Sequence, residues 1–229
     1  MYREDNLMAK NKDPFMFIPN ESNGIYKPAN LVVMFFDIIG FTKKTTNEEM
    51  KDCIRGIEAS IVDELWDNYN WNETNEKNDL ILIPTGDGYS FAFNPLFKND
   101  EILEVVKKFY CRIIRKINFD IRMGIAKGPC QVYRDQNEKN NVFGYGINLA
   151  NRVMGLARKN QILIHEEWAN EILRQRAHVE IHEVKGREFE IRHGETIKVF
   201  NFYGQYEGIG FGNESDPEDP VTLKQGGKE

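Results

Sequence analysis

LVVMFFDIIGFT occupies residues 31–42, and its first six residues form an uninterrupted apolar run. Such a run is typical of a strand in the middle of a sheet. Asp37 follows the run directly, and Gly40 comes three residues later, where a turn is expected. The stretch therefore predicts a central strand that delivers one carboxylate to its end.

A second aspartate, Asp87, lies between two further predicted strands. The mainly apolar segments at residues 80–83 and 89–93 flank the sequence Pro84-Thr85-Gly86-Asp87-Gly88, which predicts a hairpin with a tight glycine turn. Two carboxylates at glycine-containing strand ends suit a pair of Mg²⁺ ions. For either aspartate alone, an ordinary strand-end or turn residue is the better interpretation.

Helical and strand patterns alternate along the rest of this region. Thr46 and Glu49 predict a capping box, followed by a helix with a core-facing stripe of Met50, Ile54, Ile57, Ile61 and Leu65. A second helical repeat covers residues 102–117, and residues 119–125 predict another strand. The order βαββαβ predicts an α+β fold with a ferredoxin-like core, in which two helices cover one face of an antiparallel sheet.

Extra C-terminal α/β elements are expected after this core. Residues 134–141 are polar and predict a loop, residues 146–157 a helix, and residues 161–164 a strand. The last residues are rich in Gly, Asp, Glu and Pro, a composition typical of disorder. We therefore expect an N-terminal arm over residues 1–28, one domain over residues 29–206, and a disordered tail over residues 207–229.

The composition argues against several classes of function. A formal net charge of −6 over 229 residues argues against a general nucleic-acid-binding surface. No stretch approaches the ~20 apolar residues that a membrane-spanning helix needs. The three cysteines have neither an even number nor a metal-type spacing. We expect a cytoplasmic protein with reduced thiols that binds neither nucleic acid nor a membrane.

Four short motifs follow one another along the chain. They are Asp37-Ile38-Ile39-Gly40-Phe41-Thr42, the hairpin pair Gly86-Asp87, the segment Arg122-Met123-Gly124-Ile125-Ala126-Lys127-Gly128, and a Gly-x-x-x-Asn-x-Ala-x-Arg pattern from Gly144 to Arg152. Together, and in this order, they resemble the class III nucleotidyl cyclase catalytic domain, the adenylate and guanylate cyclase family. The resemblance covers roughly residues 31–203.

In this family a ribose 3′-hydroxyl attacks the α-phosphate of its own nucleoside triphosphate, which yields a 3′,5′-cyclic monophosphate and pyrophosphate. The resemblance implies two Mg²⁺ or Mn²⁺ ions per active site, held by Asp37, Asp87 and the carbonyl of Ile38. The backbone amides of residues 39–42 would cradle phosphate oxygens. The resemblance assigns the phosphate contacts to Gly40, Phe41, Thr42, Arg122 and Lys185.

The resemblance also implies a transition-state pair on the predicted helix. Asn148 would orient the ribose, and Arg152, one helical turn later, would stabilise the negative charge that grows on the phosphates. In the family this pair and the metal aspartates meet across a head-to-tail dimer interface. Because one chain carries both sets, the resemblance implies a homodimer with two composite active sites.

The positions that recognise the base depart from both purine patterns. Adenylate cyclases of the family use Lys and Asp there, and guanylate cyclases commonly use Glu and Cys, whereas this chain has Ile83 and Asn141. An isoleucine side chain makes no hydrogen bond, while asparagine offers both a donor and an acceptor. Phe35 and Thr85 complete the expected base pocket, although Phe35 also fits a place in the core.

A compact, stand-alone cyclase without the purine determinants is similar to the pyrimidine cyclases of Pycsar antiphage defence. Those enzymes make cyclic UMP or cyclic CMP, which a separate cyclic-nucleotide-binding effector reads. We therefore expect a uridylate or cytidylate cyclase that acts in antiphage defence. Two alternatives stay open: an adenylate cyclase that recognises its base through other contacts, and an inactive cyclase-like module that binds a nucleotide.

Overall fold

The structure is a computed structural model, and it describes residues 28–41, 46–61, 80–137, 139–175, 180–184, 188–190 and 195–217. Three residues with sequence-based assignments, Thr42, Leu65 and Lys185, lie outside these ranges. Within the ranges, no helix combines the length and the apolar character that a membrane crossing requires. All three cysteines lie inside them as buried free thiols.

The first elements of the chain follow the predicted order. They are β1 (Ala29–Ile38), α1 (Asn47–Ile61), β2 (Leu80–Pro84), β3 (Gly88–Phe93), α2 (Asn99–Lys116) and β4 (Ile121–Arg134). The βαββαβ prediction is therefore confirmed. The remaining elements are β5 (Asn140–Gly144), α3 (Tyr145–Leu156), β6 (Gln161–His165), α4 (Glu166–Arg174), β7 (Ile181–Glu183), β8 (Phe189–Glu190), β9 (Thr196–Ile197), β10 (Val199–Phe202), β11 (Gly204–Tyr206) and β12 (Ile209–Phe211).

One mixed sheet organises these elements. Its strand order is β2-β3-β1-β4-β6-β10-β7, and β5 pairs with the second half of β4. β1 lies between β3 and β4 and is antiparallel to both, whereas β4 and β6 are parallel. The pairs β8–β9 and β11–β12 form two small separate sheets. The end of β1 is consequently flanked by two other strands, each of which can bring a side chain to it.

The central strand β1 is buried on both faces of the sheet, as its apolar run predicts. Met34 and Phe36 belong to a core that α1, α2 and α4 cover. Val33 and Phe35 belong to a second core on the opposite face, which α3 and the β8–β9 pair cover. Side chains of a strand alternate between the two faces, and burial of each large apolar side chain contributes about 1.5–3 kcal/mol.

The predicted core stripe of α1 is wrong at one position. Ile54 is 37% exposed, whereas Cys53 is 3% exposed and packs in the same core as Ile57. Residues four apart lie on one face of a helix, so the buried stripe runs through Cys53 rather than through its neighbour. The capping box is confirmed, because the backbone N–H of Thr46 donates to the Glu49 carboxylate at 2.9 Å.

Two segments with a sequence prediction of loop or disorder contain strands. The segment 134–141 holds the end of β4 and the start of β5, because the buried side chains of Val132 and Val142 face each other across this pair. In the expected tail, β12 pairs with β11, and Phe211 is 1% exposed. The expected disorder is therefore wrong for residues 207–217, while residues 218–229 lie outside the described ranges.

Candidate active site

Asp37 lies near the end of β1 and forms an ion pair with Arg122 of β4. The two residues face each other in the antiparallel register. Both Nε and Nη2 of Arg122 donate to Oδ2 of Asp37, at 2.9 and 2.7 Å. The Asp37 side chain is only 12% exposed, so the pair is largely shielded from solvent. Two charge-assisted hydrogen bonds of this kind hold the carboxylate in one orientation.

The turn between β2 and β3 carries Asp87 to the same end of the sheet. Gly86 has a φ of +101°, a conformation that favours glycine. A Cβ on Gly88 would lie 2.0 Å from a backbone oxygen of β1. The turn can therefore approach β1 so closely that the Ile38 N–H donates to the Asp87 carbonyl oxygen at 3.1 Å. The glycines bring Asp87 beside Asp37.

The pKa of the Asp37 carboxyl group is raised above its ordinary value. Burial is the largest cause, the guanidinium of Arg122 opposes it, and the neighbouring carboxyl group of Asp87 adds to the increase. A divalent cation bound to both carboxylates would remove their repulsion, and oxygen donors are what Mg²⁺ and Mn²⁺ prefer. Within the described residues, no three His, Cys, Asp or Glu side chains form a metal-binding cluster. Mg²⁺ sites in proteins commonly combine one or two carboxylates with water and substrate oxygens.

The turn after β1 contains residues that were expected to contact phosphates. Gly40 has a φ of +79°, which redirects the chain out of the strand. The side chain of Phe41 is 8% exposed and makes an edge contact with Phe119, so it belongs to the core. The amide of Ile39 donates to the Asp120 carbonyl oxygen at 2.9 Å. Against the expectation, this amide is engaged within the protein rather than open to a phosphate.

Asn148 and Arg152 lie on α3, which packs against β4 at very short range. A Cβ on Gly124 would lie 2.1 Å from the backbone nitrogen of Met154, so only glycine permits this approach. At the start of α3, a Cβ on Gly146 would lie 2.8 Å from a backbone oxygen of β4. Asn148 is exposed and Arg152 is half-buried. The helix therefore presents both side chains away from the sheet.

Within the described residues, Arg152 forms no bond with Asp37 or Asp87. Its Nη1 donates to Oε2 of Glu195 at 3.0 Å, and the Tyr145 hydroxyl donates to Oε1 of the same carboxylate. In the part of the chain that the structure describes, no hydrogen bond or ion pair joins this cluster to Asp37 or Asp87. The predicted site residues thus form two separate groups.

The four expected base-pocket residues occupy different environments. Phe35 is 8% exposed and packs on the α3 side of the sheet, which fits its alternative place in the core. Thr85 is exposed at the β2–β3 turn, and Ile83 is half-buried on β2. The side-chain oxygen of Asn141 accepts from the backbone N–H of Val142 at 2.8 Å. Cα atoms of β2 and β5 approach within 8 Å, so the strands that carry Ile83 and Asn141 are near each other.

The sequence did not point to Tyr145 and Glu195, which belong with Asn148 and Arg152 to the second group of site residues. Tyr145 precedes Asn148 by three residues and Arg152 by seven, and this spacing places all three on one helical face. Helical periodicity was therefore a usable signal for Tyr145. Glu195 is 43 residues from Arg152, and no spacing rule connects them. Only the fold brings this carboxylate to α3.

Comparisons with known proteins agree with the fold. Residues 25–203 match the family described as the adenylate and guanylate cyclase catalytic domain. A comparison with curated proteins found no match. The adenylyl cyclase CyaB from P. aeruginosa has a similar structure, with a TM-score of 0.61 at 17% identity over 80% of this chain and 98% of that chain.

Two further solved structures show the same likeness. The guanylate cyclase domain of RhGC from Catenaria anguillulae, solved in complex with GTP, has a TM-score of 0.57 at 18% identity over 79% of this chain and 100% of that chain. The structure of adenylate cyclases from Trypanosoma brucei in their monomeric state has a TM-score of 0.60 at 12% identity over 84% of this chain and 93% of that chain. At such identities the structures support the fold alone. The family match, in contrast, spans well over half of the 229 residues, and the protein therefore belongs to the adenylate and guanylate cyclase catalytic domain family.

Proposed function

We propose that this protein converts a pyrimidine nucleoside triphosphate, UTP or CTP, into its 3′,5′-cyclic monophosphate and pyrophosphate. It acts in the cytoplasm as the signal-generating enzyme of antiphage defence, and a separate cyclic-nucleotide-binding effector reads its product. The observation that carries the enzymatic part is the cluster of Asp37, Asp87 and Arg122 at one end of the sheet. Such a cluster is suited to a metal-bound polyphosphate, because it offers oxygen ligands and a cation side by side.

In this proposal Asp37, Asp87 and the carbonyl of Ile38 hold two Mg²⁺ or Mn²⁺ ions. When bound, the ions lower the pKa of the ribose 3′-hydroxyl and neutralise charge on the phosphates. Arg122 adds positive charge beside them. The phosphates also contact the turn after β1, at Gly40, Phe41 and Thr42, together with Lys185 from later in the chain.

Asn148 and Arg152 act on the transition state. Asn148 orients the ribose, and Arg152 stabilises charge on the α-phosphate and the leaving group; loss of one such donor costs about 3–4 kcal/mol in known enzymes. Their separation from Asp37 and Asp87 within one chain supports a head-to-tail homodimer. In that dimer, α3 of one protomer completes the metal-binding group of its partner, which gives two composite sites.

Two side chains support a pyrimidine substrate, with UTP as the first choice. Ile83 is half-buried and apolar, so it cannot form the side-chain hydrogen bonds that purine cyclases use. The oxygen of the Asn141 side chain is engaged by the Val142 backbone. The amide nitrogen of Asn141 then remains as a hydrogen-bond donor, which suits the O4 carbonyl of uracil, whereas cytosine carries an amine at that position.

The test is incubation of the purified protein with ATP, GTP, CTP or UTP and Mn²⁺. Mass spectrometry against 3′,5′ standards identifies any cyclic product. Cyclic UMP or cyclic CMP is the expected result. Cyclic AMP or cyclic GMP would reject the pyrimidine assignment but would still support cyclase activity. No product from a stable dimer that binds nucleotide would reject the proposed activity under these conditions and favour an inactive module.

The defence role needs a separate experiment in cells. We expect bacteria that carry this protein and its effector to accumulate the cyclic pyrimidine nucleotide on phage infection and to restrict phage growth. An Asp87→Ala variant is the matched control, because it lacks one proposed metal ligand at a half-buried turn position. Equal phage growth with the wild-type protein and with this variant would contradict the defence role while leaving the cyclase activity untouched.

A further inference from the structure

Glu195 connects two side chains on the outward face of α3. Its Oε2 accepts from Nη1 of Arg152 at 3.0 Å, and its Oε1 accepts from the hydroxyl of Tyr145. Tyr145 is the first residue of α3, and Arg152 lies about two turns later. One carboxylate from another part of the chain therefore contacts both ends of this helical face.

Buried contacts anchor the backbone that carries Glu195. This residue directly precedes β9, where Ile197 is 3% exposed, and β9 pairs with β8, where Phe189 is 2% exposed. Both apolar side chains pack in the core that includes Leu149 and Val153 of α3. The location of the carboxylate relative to the helix is thus set by the core that α3 and the β8–β9 pair share.

The hydrogen bond to Glu195 orients Arg152 and leaves most of the N–H donors of its guanidinium for another anion. A guanidinium has five N–H donors in a rigid fork, and Glu195 accepts from Nη1 only. The Arg152 side chain is 27% exposed and that of Glu195 is 40% exposed, so the ion pair by itself contributes little to stability. Its main effect is on conformation, because a free arginine side chain populates many rotamers.

Tyr145 in turn holds the carboxylate. Its hydrogen bond to Glu195 is the largest cause that raises the pKa of Tyr145 to about 12. The hydroxyl therefore keeps its proton at neutral pH and stays a donor to Oε1. With Tyr145 on one oxygen and Arg152 on the other, Glu195 is held from two sides.

We propose that Glu195 is a positioning residue for Arg152, which it holds in the orientation that stabilises negative charge during cyclisation, and that Tyr145 supports it. This inference rests on the proposed cyclase function. Catalysis depends steeply on such placement, since a displacement of about 1 Å can lower a rate by about 100-fold. The opposite role is that Glu195 masks Arg152 by imitating a phosphate, in which case its removal would raise activity.

The experiment compares kcat and KM of the wild-type protein with those of Glu195→Ala, Glu195→Gln and Tyr145→Phe. For Glu195→Ala we expect kcat to fall by about 10- to 100-fold while KM changes little, because the lost orientation matters most in the transition state. Glu195→Gln keeps an oxygen acceptor for Arg152 and should recover part of this loss. The matched control is Glu188→Gln, which removes an exposed ion pair with Lys198 near the same strands and should leave kcat unchanged.

A double variant separates positioning from a general structural effect. In an Arg152→Ala background, Glu195→Ala should cause no further loss, because the residue it positions is absent. A full additional loss would overturn the proposal, and so would a kcat for Glu195→Ala that equals or exceeds the wild-type value. If thermal denaturation shows that Glu195→Ala does not fold, Glu195→Gln and Tyr145→Phe replace it. A kcat below the wild-type value then supports the proposal, and a kcat equal to or above that value overturns it. Absence of product from the wild-type protein with all four nucleotides is a different result, which rejects the proposed function itself.

Discussion

At the scale of single residues, Arg122 has two competing partners, a substrate phosphate and Asp37. The family resemblance assigns it to the phosphates, whereas in the structure its Nε and Nη2 both donate to Asp37. The same two donors cannot serve a phosphate at the same time, so a phosphate can use only the remaining N–H groups unless the pair opens. A metal ion on Asp37 would take over the neutralisation of this carboxylate and so favour such an opening.

The first prediction concerns the two proposed metal ligands, Asp37 and Asp87. We expect Asp37→Ala and Asp87→Ala each to abolish Mn²⁺-dependent turnover and to weaken Mn²⁺ binding, measured by electron paramagnetic resonance of the free ion, while circular dichroism stays that of a folded protein. Asp52→Ala is the matched control, because the Asp52 side chain is 77% exposed on α1 and forms only a weak contact with Arg55. Undiminished turnover in either metal-site variant would contradict the two-metal assignment.

The second prediction concerns Asp120 and the pH dependence of stability. Lys159 donates to its carboxylate at 2.8 Å and Asn160 at 2.9 Å, and the bond from Lys159 is the largest cause that lowers the pKa of Asp120. Because the folded-state pKa is below the unfolded one, this contribution is complete above the unfolded pKa of about 3.9 and is lost as the pH falls through the lower folded value.

We therefore expect Asp120→Asn to unfold more easily than the wild-type protein at pH 7, with a difference that shrinks in acid. Urea denaturation at a series of pH values measures it. A difference that stays constant down to the lowest pH would mean that the charge of Asp120 does not contribute.

At the scale of elements, the contact between α3 and β4 decides where the second group of site residues lies. Gly124 is part of the third sequence motif, and the structure gives the physical reason for it: a Cβ would collide with the backbone of α3 at Met154. Asn148 and Arg152 are carried by the same helix. Any change that lifts α3 from the sheet therefore moves both of them.

The third prediction compares two glycines at this helix. We expect Gly124→Ala to lower the free energy of unfolding by about 1–3 kcal/mol, as overpacking does elsewhere, and to reduce kcat as well. Gly155→Ala is the matched control, because nothing lies within 4 Å of its Cβ position and alanine is favoured by about 0.5–1 kcal/mol inside a helix. Chemical denaturation measures both, and equal stability of the two variants would contradict the close contact.

At the scale of the whole molecule, each chain contains both groups of the candidate site but does not join them. Asp37, Asp87 and Arg122 lie at the end of the central strands, and Arg152 is bound to Glu195 instead. The simplest arrangement that joins them is a pair of chains in which each supplies what the other lacks. In the proposed head-to-tail dimer, activity depends on protein concentration.

The fourth prediction is complementation between two inactive chains. We expect a mixture of Asp37→Ala and Arg152→Ala chains to recover part of the activity, because a mixed dimer contains one site with both groups intact. Product formation after mixing measures the recovery, and analytical ultracentrifugation of differently labelled chains verifies the mixed dimer. No recovery in a verified mixed dimer would count against head-to-tail site sharing.

Local chemistry in the sequence was enough to predict the core of the fold. The apolar run of β1, the glycine turn at Gly86 and the helical repeat of α2 depend on neighbours in the chain, and the structure confirms them. The sequence did not predict strands that are short or that contain many polar residues. β5 and β12 form because other strands pair with them and bury residues such as Val142 and Phe211, and such pairing is not encoded within the segment itself.

By itself, the sequence determined the fold class, the family and the identity of Asp37, Asp87, Asn148 and Arg152 as candidate site residues, because motifs record residues a few positions apart. The tertiary structure alone decided which of them meet. It joined Asp37 to Arg122, which is 85 residues away, and Arg152 to Glu195, 43 residues away. Contacts of this length depend on strand register and helix packing, and these follow from the burial of the whole core rather than from any local pattern.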